Sequence, residues 1–134
     1  MFVDAAAIVA ILSGEPEAER CATALAAATD PITSAIALWE TAVALARPDK
    51  LGIAIERSER LVRRFLEERG IELRDLPEAS AAASLALDAA RRFRRGPMRL
   101  NLADCLHYAC ARHYAVPILS TADEFRATDI ATVA

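Results

Sequence analysis

Apolar positions in this chain fall in short blocks whose spacing alternates between strand and helix signals. The opening MFVDAAAIVAIL holds a very short apolar strand at Phe2 and Val3. Asp4 stops that strand, and the alanines with Ile8, Val9, Ile11 and Leu12 begin a helix. Ser13-Gly14-Glu15-Pro16 is turn chemistry. Glu15, Glu17 and Glu19 suit the first turn of a second helix, where negative charge meets the positive end of the dipole. Ala18, Cys21, Ala22 and Leu25 form its buried stripe, and Thr29-Asp30-Pro31 closes it. Pro31-Ile32-Thr33 reads as a second strand. Ser34 caps a third helix over 35–46, which ends at Arg47-Pro48.

A longer amphipathic helix is predicted over 53–69, with Ile55, Leu61, Val62, Phe65 and Leu66 on one side and Gly70 as its C-cap. Ile71 to Arg74 alternates as a third strand. Pro77 starts a fifth helix that runs through alanines to Arg92, and Arg94-Arg95-Gly96-Pro97 is a loop. A sixth helix covers 101–114. Val116 to Leu119 is a fourth strand, residues 120–125 a loop or short helix, and Ile130 to Val133 a fifth strand. Strands separated by helices require right-handed crossovers and a mainly parallel sheet. The expected architecture is one three-layer α/β/α domain over residues 1–134 with four to five short strands. The first strand, apolar throughout, belongs in the middle of that sheet.

Composition narrows the class. Apolar residues make up 54% of the 134 residues and charged residues 26%, a globular balance. A net charge of −3 argues against indiscriminate coating of nucleic acid but leaves room for a local basic patch. Cys21, Cys105 and Cys110 form no CxxC pair, so free buried thiols are expected rather than a metal knuckle or disulfide framework. The apolar start lacks a basic n-region and carries Asp4, unlike a signal peptide, and no stretch approaches a membrane span. A cytoplasmic protein without membrane partners is expected.

Candidate chemistry lies in four acids. Asp4 follows the first strand, at the carboxyl edge of the sheet where ligands bind in open α/β folds. Glu40 is almost the only charge on the third helix, SAIALWETAVALA. Asp104 sits on LNLADCLHYACA, and Asp123 follows the fourth strand. An acid on an apolar helix is expensive to bury alone, and gathered carboxylates repel unless a hard divalent cation compensates them. Taken singly, Asp104 and Asp123 also read as helix-capping acids, and Glu40 as a solvated side chain.

At these positions the chain resembles PIN-domain proteins of the VapC type, the toxin ribonucleases of bacterial toxin–antitoxin pairs. MFVDAAAIVAIL resembles their opening strand and first acid, and TSAIALWETAVAL the helix carrying their glutamate. LNLADCLHYACAR resembles the third acidic motif, and VPILSTADEFRATDI the closing strand, final acid and terminal Thr-Asp-Ile. The resemblance implies a PIN-like fold and a metal-dependent endoribonuclease. Asp4, Glu40, Asp104 and Asp123 would be the acidic quartet holding Mg²⁺ or Mn²⁺, with Glu124 adjacent to the last. It also implies a structured RNA substrate such as transfer RNA, a small VapB-type antitoxin that inhibits the site, and a homodimer. One departure is that Ala5-Ala6-Ala7 offers none of the hydroxyls that family members commonly carry two residues after the first acid.

Arg91, Arg92, Arg94, Arg95 and Arg99 cluster just before the Asp104 helix, where they would grip phosphates or simply solvate a helix end. Aromatic residues are sparse, and Trp39 is expected to pack rather than stack. His107 and His113 are expected to be structural or surface residues. A phospho-acceptor receiver domain is disfavoured, because no second acid follows Asp4 and the one lysine is Lys50. A plain helical scaffold leaves Asp4 and Glu40 unexplained. A catalytically weak PIN domain that binds RNA or a partner is the alternative left open by Ala6.

Overall fold

Phe2 and Val3 form a strand (β1, Phe2–Val3) that is buried on both faces, a situation that only the centre of a covered sheet provides. The computed structural model describes residues 1–96 and 99–134, and the elements follow the chain in strict alternation of strand and helix groups. After β1 come α1 (Ala5–Ser13), α2 (Ala18–Ala26), β2 (Ile32–Ser34), α3 (Ala35–Ala46), α4 (Ile55–Glu68) and β3 (Glu72–Arg74). The second half holds α5 (Ala79–Phe93), α6 (Leu102–His113), β4 (Ile118–Leu119), a 3-10 turn at Asp123–Ala127 and β5 (Thr132–Val133). The predicted loop after α5 is present at Arg94–Gly96, and its last residue, Pro97, lies outside the described residues.

All five strands are parallel, in the order β3-β2-β1-β4-β5. The strands are shorter than the apolar runs that announce them. Ile71 gives its N–H to Leu66 to close α4 instead of joining a ladder, and Ile130 gives its N–H to the Thr128 hydroxyl in a turn.

Alternation along the two-residue strands splits the interior into two layers. Phe2 and Ile118 face α5 and α6, packing with Tyr108, Ala89, Leu100 and Phe125. Val3 and Leu119 face the other way, against α1, α2, α3 and α4, with Ile8, Leu45, Val62 and Phe65. These are the outer helical layers of a three-layer α/β/α sandwich. The three cysteines are free and buried in these layers. Among the described residues no helix is long and apolar enough to cross a membrane.

The terminal Thr-Asp-Ile is a structural clamp. Tyr108 donates its hydroxyl to Asp129 at 2.9 Å, and the Arg92 guanidinium donates to the same carboxylate at 2.9 Å. The clamp ties α5 and α6 to the approach to β5.

Leu45 has no exposure and joins α3 to the α1 and α4 side of the core. Leu45→Ala should therefore destabilise the protein by about 2–5 kcal/mol in chemical denaturation, the range for a truncated core leucine. A loss under about 1 kcal/mol would mean that this layer is not closely packed.

Candidate metal centre at the carboxyl edge of the sheet

The strand order reverses direction at β1, because the chain leaves β3 on one side and re-enters as β4 on the other. Such a switch point opens a crevice at the carboxyl ends of the strands. Asp4 follows β1 directly and Ser120 follows β4 directly, so the two residues meet across that crevice. Asp4 caps α1, accepting the Ala5 N–H on Oδ1 at 2.8 Å. Its Oδ2 accepts the Ser120 hydroxyl at 2.6 Å. Ser120 Oγ in turn accepts the Ala122 N–H at 3.0 Å, which fixes the hydroxyl rotor. The hydroxyl missing from Ala5-Ala6-Ala7 is thus supplied from the neighbouring strand end.

Glu40 reaches the crevice from α3 and meets an unanticipated partner. His107, fully buried on α6, places Nε2 2.6 Å from Glu40 Oε2 and 3.5 Å from Asp4 Oδ1. Its ring rests against Phe2, with centroids 5.4 Å apart, and its Nδ1 is buried without a hydrogen-bond partner. The polar attachment of the imidazole therefore runs wholly through Nε2. His107 is the structural residue of the two alternatives expected, and its structural contact is with the acids of the crevice. The spacing of three from Asp104 is the signal, since it puts both side chains on one helix face. His113 is exposed and packs edge-on against Tyr114.

Asp104 serves two purposes at once. In a reciprocal capping box its Oδ2 accepts the Asn101 N–H at 2.7 Å, while Asn101 Oδ1 accepts the Asp104 N–H at 3.0 Å. Asp104 also lines a cleft of about 230 Å³, together with Asp4, Glu40, Asn101, Ala122 and Glu124. Asp123 does not line this cleft: it is exposed and accepts from Arg126 at 3.2 Å. The tight 3-10 turn presents Glu124 to the cleft instead.

Burial and mutual repulsion set the electrostatics. Burial raises Asp4 above the usual carboxylate range, partly opposed by His107 and by the Ser120 hydrogen bond. Asp104 is raised for the same first reason, and the Asn101 N–H opposes the shift. Burial alone would lower His107, but the Glu40 hydrogen bond and the Asp4 and Asp104 charges outweigh it, and its pKa is raised. A site of this kind is short of positive charge. Atoms of Asp4, Glu40 and His107 lie within 4.8 Å of one another, close enough to share one ion. With Nε2 of His107 engaged by Glu40, the carboxylate oxygens are the donors left for an ion, and an all-oxygen set fits a hard divalent cation.

The arginine cluster divides. Arg91 is paired to Asp88, and Arg92 to Asp88 and Asp129, so both are engaged within the fold. Arg94, Arg95 and Arg99 are exposed and form no ion pair among the described residues. In the chain they precede Asn101, which lines the acidic cleft.

The shifts give a pH dependence with a definite sign. His107 carries a raised pKa, so its contribution is complete below its ordinary value of 6.5 and is lost as pH rises through the folded value. Asp4 and Asp104 are also raised, so their ionisation disfavours the folded state as pH rises above 3.8. Metal-free protein should melt at lower temperature at pH 8.5 than at pH 6, and added Mg²⁺ or Mn²⁺ should recover most of the difference. Stability that is flat or rises over that window, measured by thermal melts in EDTA, would contradict the assigned electrostatics.

The PIN domain family profile matches residues 1–130. Ribonuclease VapC42 of Mycobacterium tuberculosis is 37% identical over 133 residues, covering 97% of this chain and 96% of that protein. Ribonuclease VapC30 of the same organism is 34% identical over 136 residues, covering 100% of this chain and 98% of that protein. Among solved structures, M. tuberculosis VapC20, described as a sarcin-ricin loop cleaving toxin, superimposes with a TM-score of 0.75 at 17% identity, covering 96% of this chain and 95% of that one. FitAcB from Neisseria gonorrhoeae gives a TM-score of 0.65 at 20% identity over 99% and 96% of the two chains. A five-stranded parallel sheet with acids gathered at its carboxyl edge, a profile match over nearly the whole length and full-length relatives above 30% identity have one meaning: the chain belongs to the PIN-domain family.

Proposed function

We propose that this protein is a divalent-metal-dependent endoribonuclease, the toxin half of a toxin–antitoxin pair. The observation that carries this reading is the convergence of Asp4, Glu40, Asp104 and Glu124 on one cleft at the switch point of the sheet. Relatives named as VapC ribonucleases over their full length support it.

Asp4 and Asp104 would hold Mg²⁺ or Mn²⁺, with Glu40 and Glu124 completing the acidic wall. When bound, the ion supplies Lewis-acid activation of water and neutralises charge on the leaving oxygen. The residues of the chain do the positioning. Ser120 and the Ala5 N–H fix both oxygens of Asp4, and Asn101 fixes one oxygen of Asp104. His107 holds Glu40 by Oε2, leaving its other oxygen to orient or deprotonate the attacking water. Asp123 is the fourth acid by resemblance, but Glu124 is the one on the cleft, and we assign the role to Glu124.

Arg94, Arg95 and Arg99 would bind phosphates on either side of the scissile one. A structured RNA such as transfer RNA is the proposed substrate class, with action in the cytoplasm. The proposed regulator is a small VapB-type antitoxin that lays a basic side chain into the acidic cleft. Exposed Ile55 and Leu73 are available for protein contacts of the antitoxin or of a homodimer.

The test is cleavage of total RNA by antitoxin-free protein in Mg²⁺, Mn²⁺ or EDTA. Discrete metal-dependent fragments are expected, and Asp4→Asn and Asp104→Asn should each reduce cleavage at least about 100-fold, on the scale of several kcal/mol for lost charge stabilisation. Glu124→Gln should cost more activity than Asp123→Asn. The reverse order would return the fourth position to Asp123, and a fully active Asp4→Asn, Asp104→Asn double variant would overturn the metal centre.

A further inference from the structure

Trp39 does not pack as its helix position led us to expect. The indole is 64% exposed on α3, directly before Glu40. An aromatic surface of that size left in water calls for an occupant. It forms one wall of a groove of about 410 Å³, within the range of ligand sites, whose lining includes Ala5, Ala6, Glu40, Arg47 and Lys50. Ala5, Ala6 and Glu40 also line the acidic cleft, so the two spaces adjoin.

We propose that this groove seats a nucleotide next to the scissile phosphate, with its base stacked on Trp39 and its phosphate held by Arg47 and Lys50. The proposal rests on the ribonuclease reading above and adds a substrate-binding subsite to it. Three observations support the choice of occupant. The indole offers a free π-face of the kind that single-stranded bases stack on. The cations are placed on the same groove: Lys50 is tethered to Glu15 and Arg47 to Asp49. Such partly exposed pairs contribute little on their own, so a phosphate can take over from the carboxylates at small cost. Finally, the groove shares Ala5, Ala6 and Glu40 with the acidic cleft, so a chain lying in it would bring its next phosphate towards Asp4 and Asp104. Trp39 also borders a neighbouring groove, lined by Ile55 and Leu73 together with Glu56, Glu59 and Arg63.

Trp39 is the only tryptophan in the chain, so its emission reports this site alone. The probe is a short oligoadenylate in Ca²⁺, used in place of Mg²⁺ to slow cleavage, with binding followed in parallel by anisotropy of a labelled oligomer. Saturable change of indole emission is expected with the same midpoint as the anisotropy, and an abasic oligomer of equal length should leave the emission unchanged. Trp39→Ala should weaken binding about ten-fold and Trp39→Phe much less, as expected for one lost stacking contact. Binding by anisotropy with constant emission, and equal affinity of Trp39→Ala, would overturn the subsite while leaving the ribonuclease reading intact. Emission that shifts with protein concentration alone would give the indole to a second copy of the chain and overturn it too. If the unmodified protein binds no RNA of any kind, the subsite and the substrate reading fall together.

Discussion

The structure depends on keeping one carboxylate, that of Asp4, almost entirely out of water. Asp4 is 4% exposed, and burying a lone charge of this kind costs several kcal/mol unless hydrogen bonds or cations offset it. Each neighbour contributes to that compensation. The first N–H of α1 meets Oδ1, the Ser120 hydroxyl meets Oδ2, and His107 brings positive character within 3.5 Å. Ser120 and His107 are near Asp4 only because β1 and β4 are adjacent and α6 packs against them. The site and the topology are therefore one constraint: a different strand order would strand the carboxylate.

From that anchor the rest of the cleft follows. Because β1 is central, α1 starts at the sheet edge and directs Asp4 into the crevice, while α3 and α6 approach it from the two helical layers. His107 links these layers through Glu40, so the acid from one side of the sheet is held by a base from the other. Asp104 shows how a structural bond and a functional placement coincide. Its capping interaction with Asn101 stabilises the start of α6 and sets the direction of the remaining oxygen. The surrounding carboxylates leave a deficit of positive charge that a divalent ion would correct, the physical ground on which the cluster is proposed as a metal centre.

Much of this was legible in the residues. The strand–helix alternation, the central first strand and the placement of Asp4 come from local periodicity and turn chemistry, which do not require knowledge of contacts. Boundaries were less legible, because Ile71 and Ile130 spend their N–H groups on a helix end and a turn. Ser120 was invisible as a partner for Asp4, since a bond across 116 positions has no local signature. His107 did carry a signal, its spacing of three from Asp104, but the burial that makes it matter is tertiary. Asp123 and Glu124 differ by one step of a 3-10 turn, and only the turn's geometry decides which of two adjacent acids faces the cleft. The exposure of Trp39 is not legible, because an apolar helix does not reveal which of its faces the neighbouring helices leave uncovered.

The central claim, that Asp4 and Asp104 share one cation at the switch point, is tested most directly by anomalous scattering from a crystal soaked in Mn²⁺. A single strong peak in the cleft, in contact with both carboxylates, with Glu40 or Glu124 beside it, is the predicted result. A cleft without a peak at saturating Mn²⁺, or manganese bound only elsewhere on the surface, would contradict it.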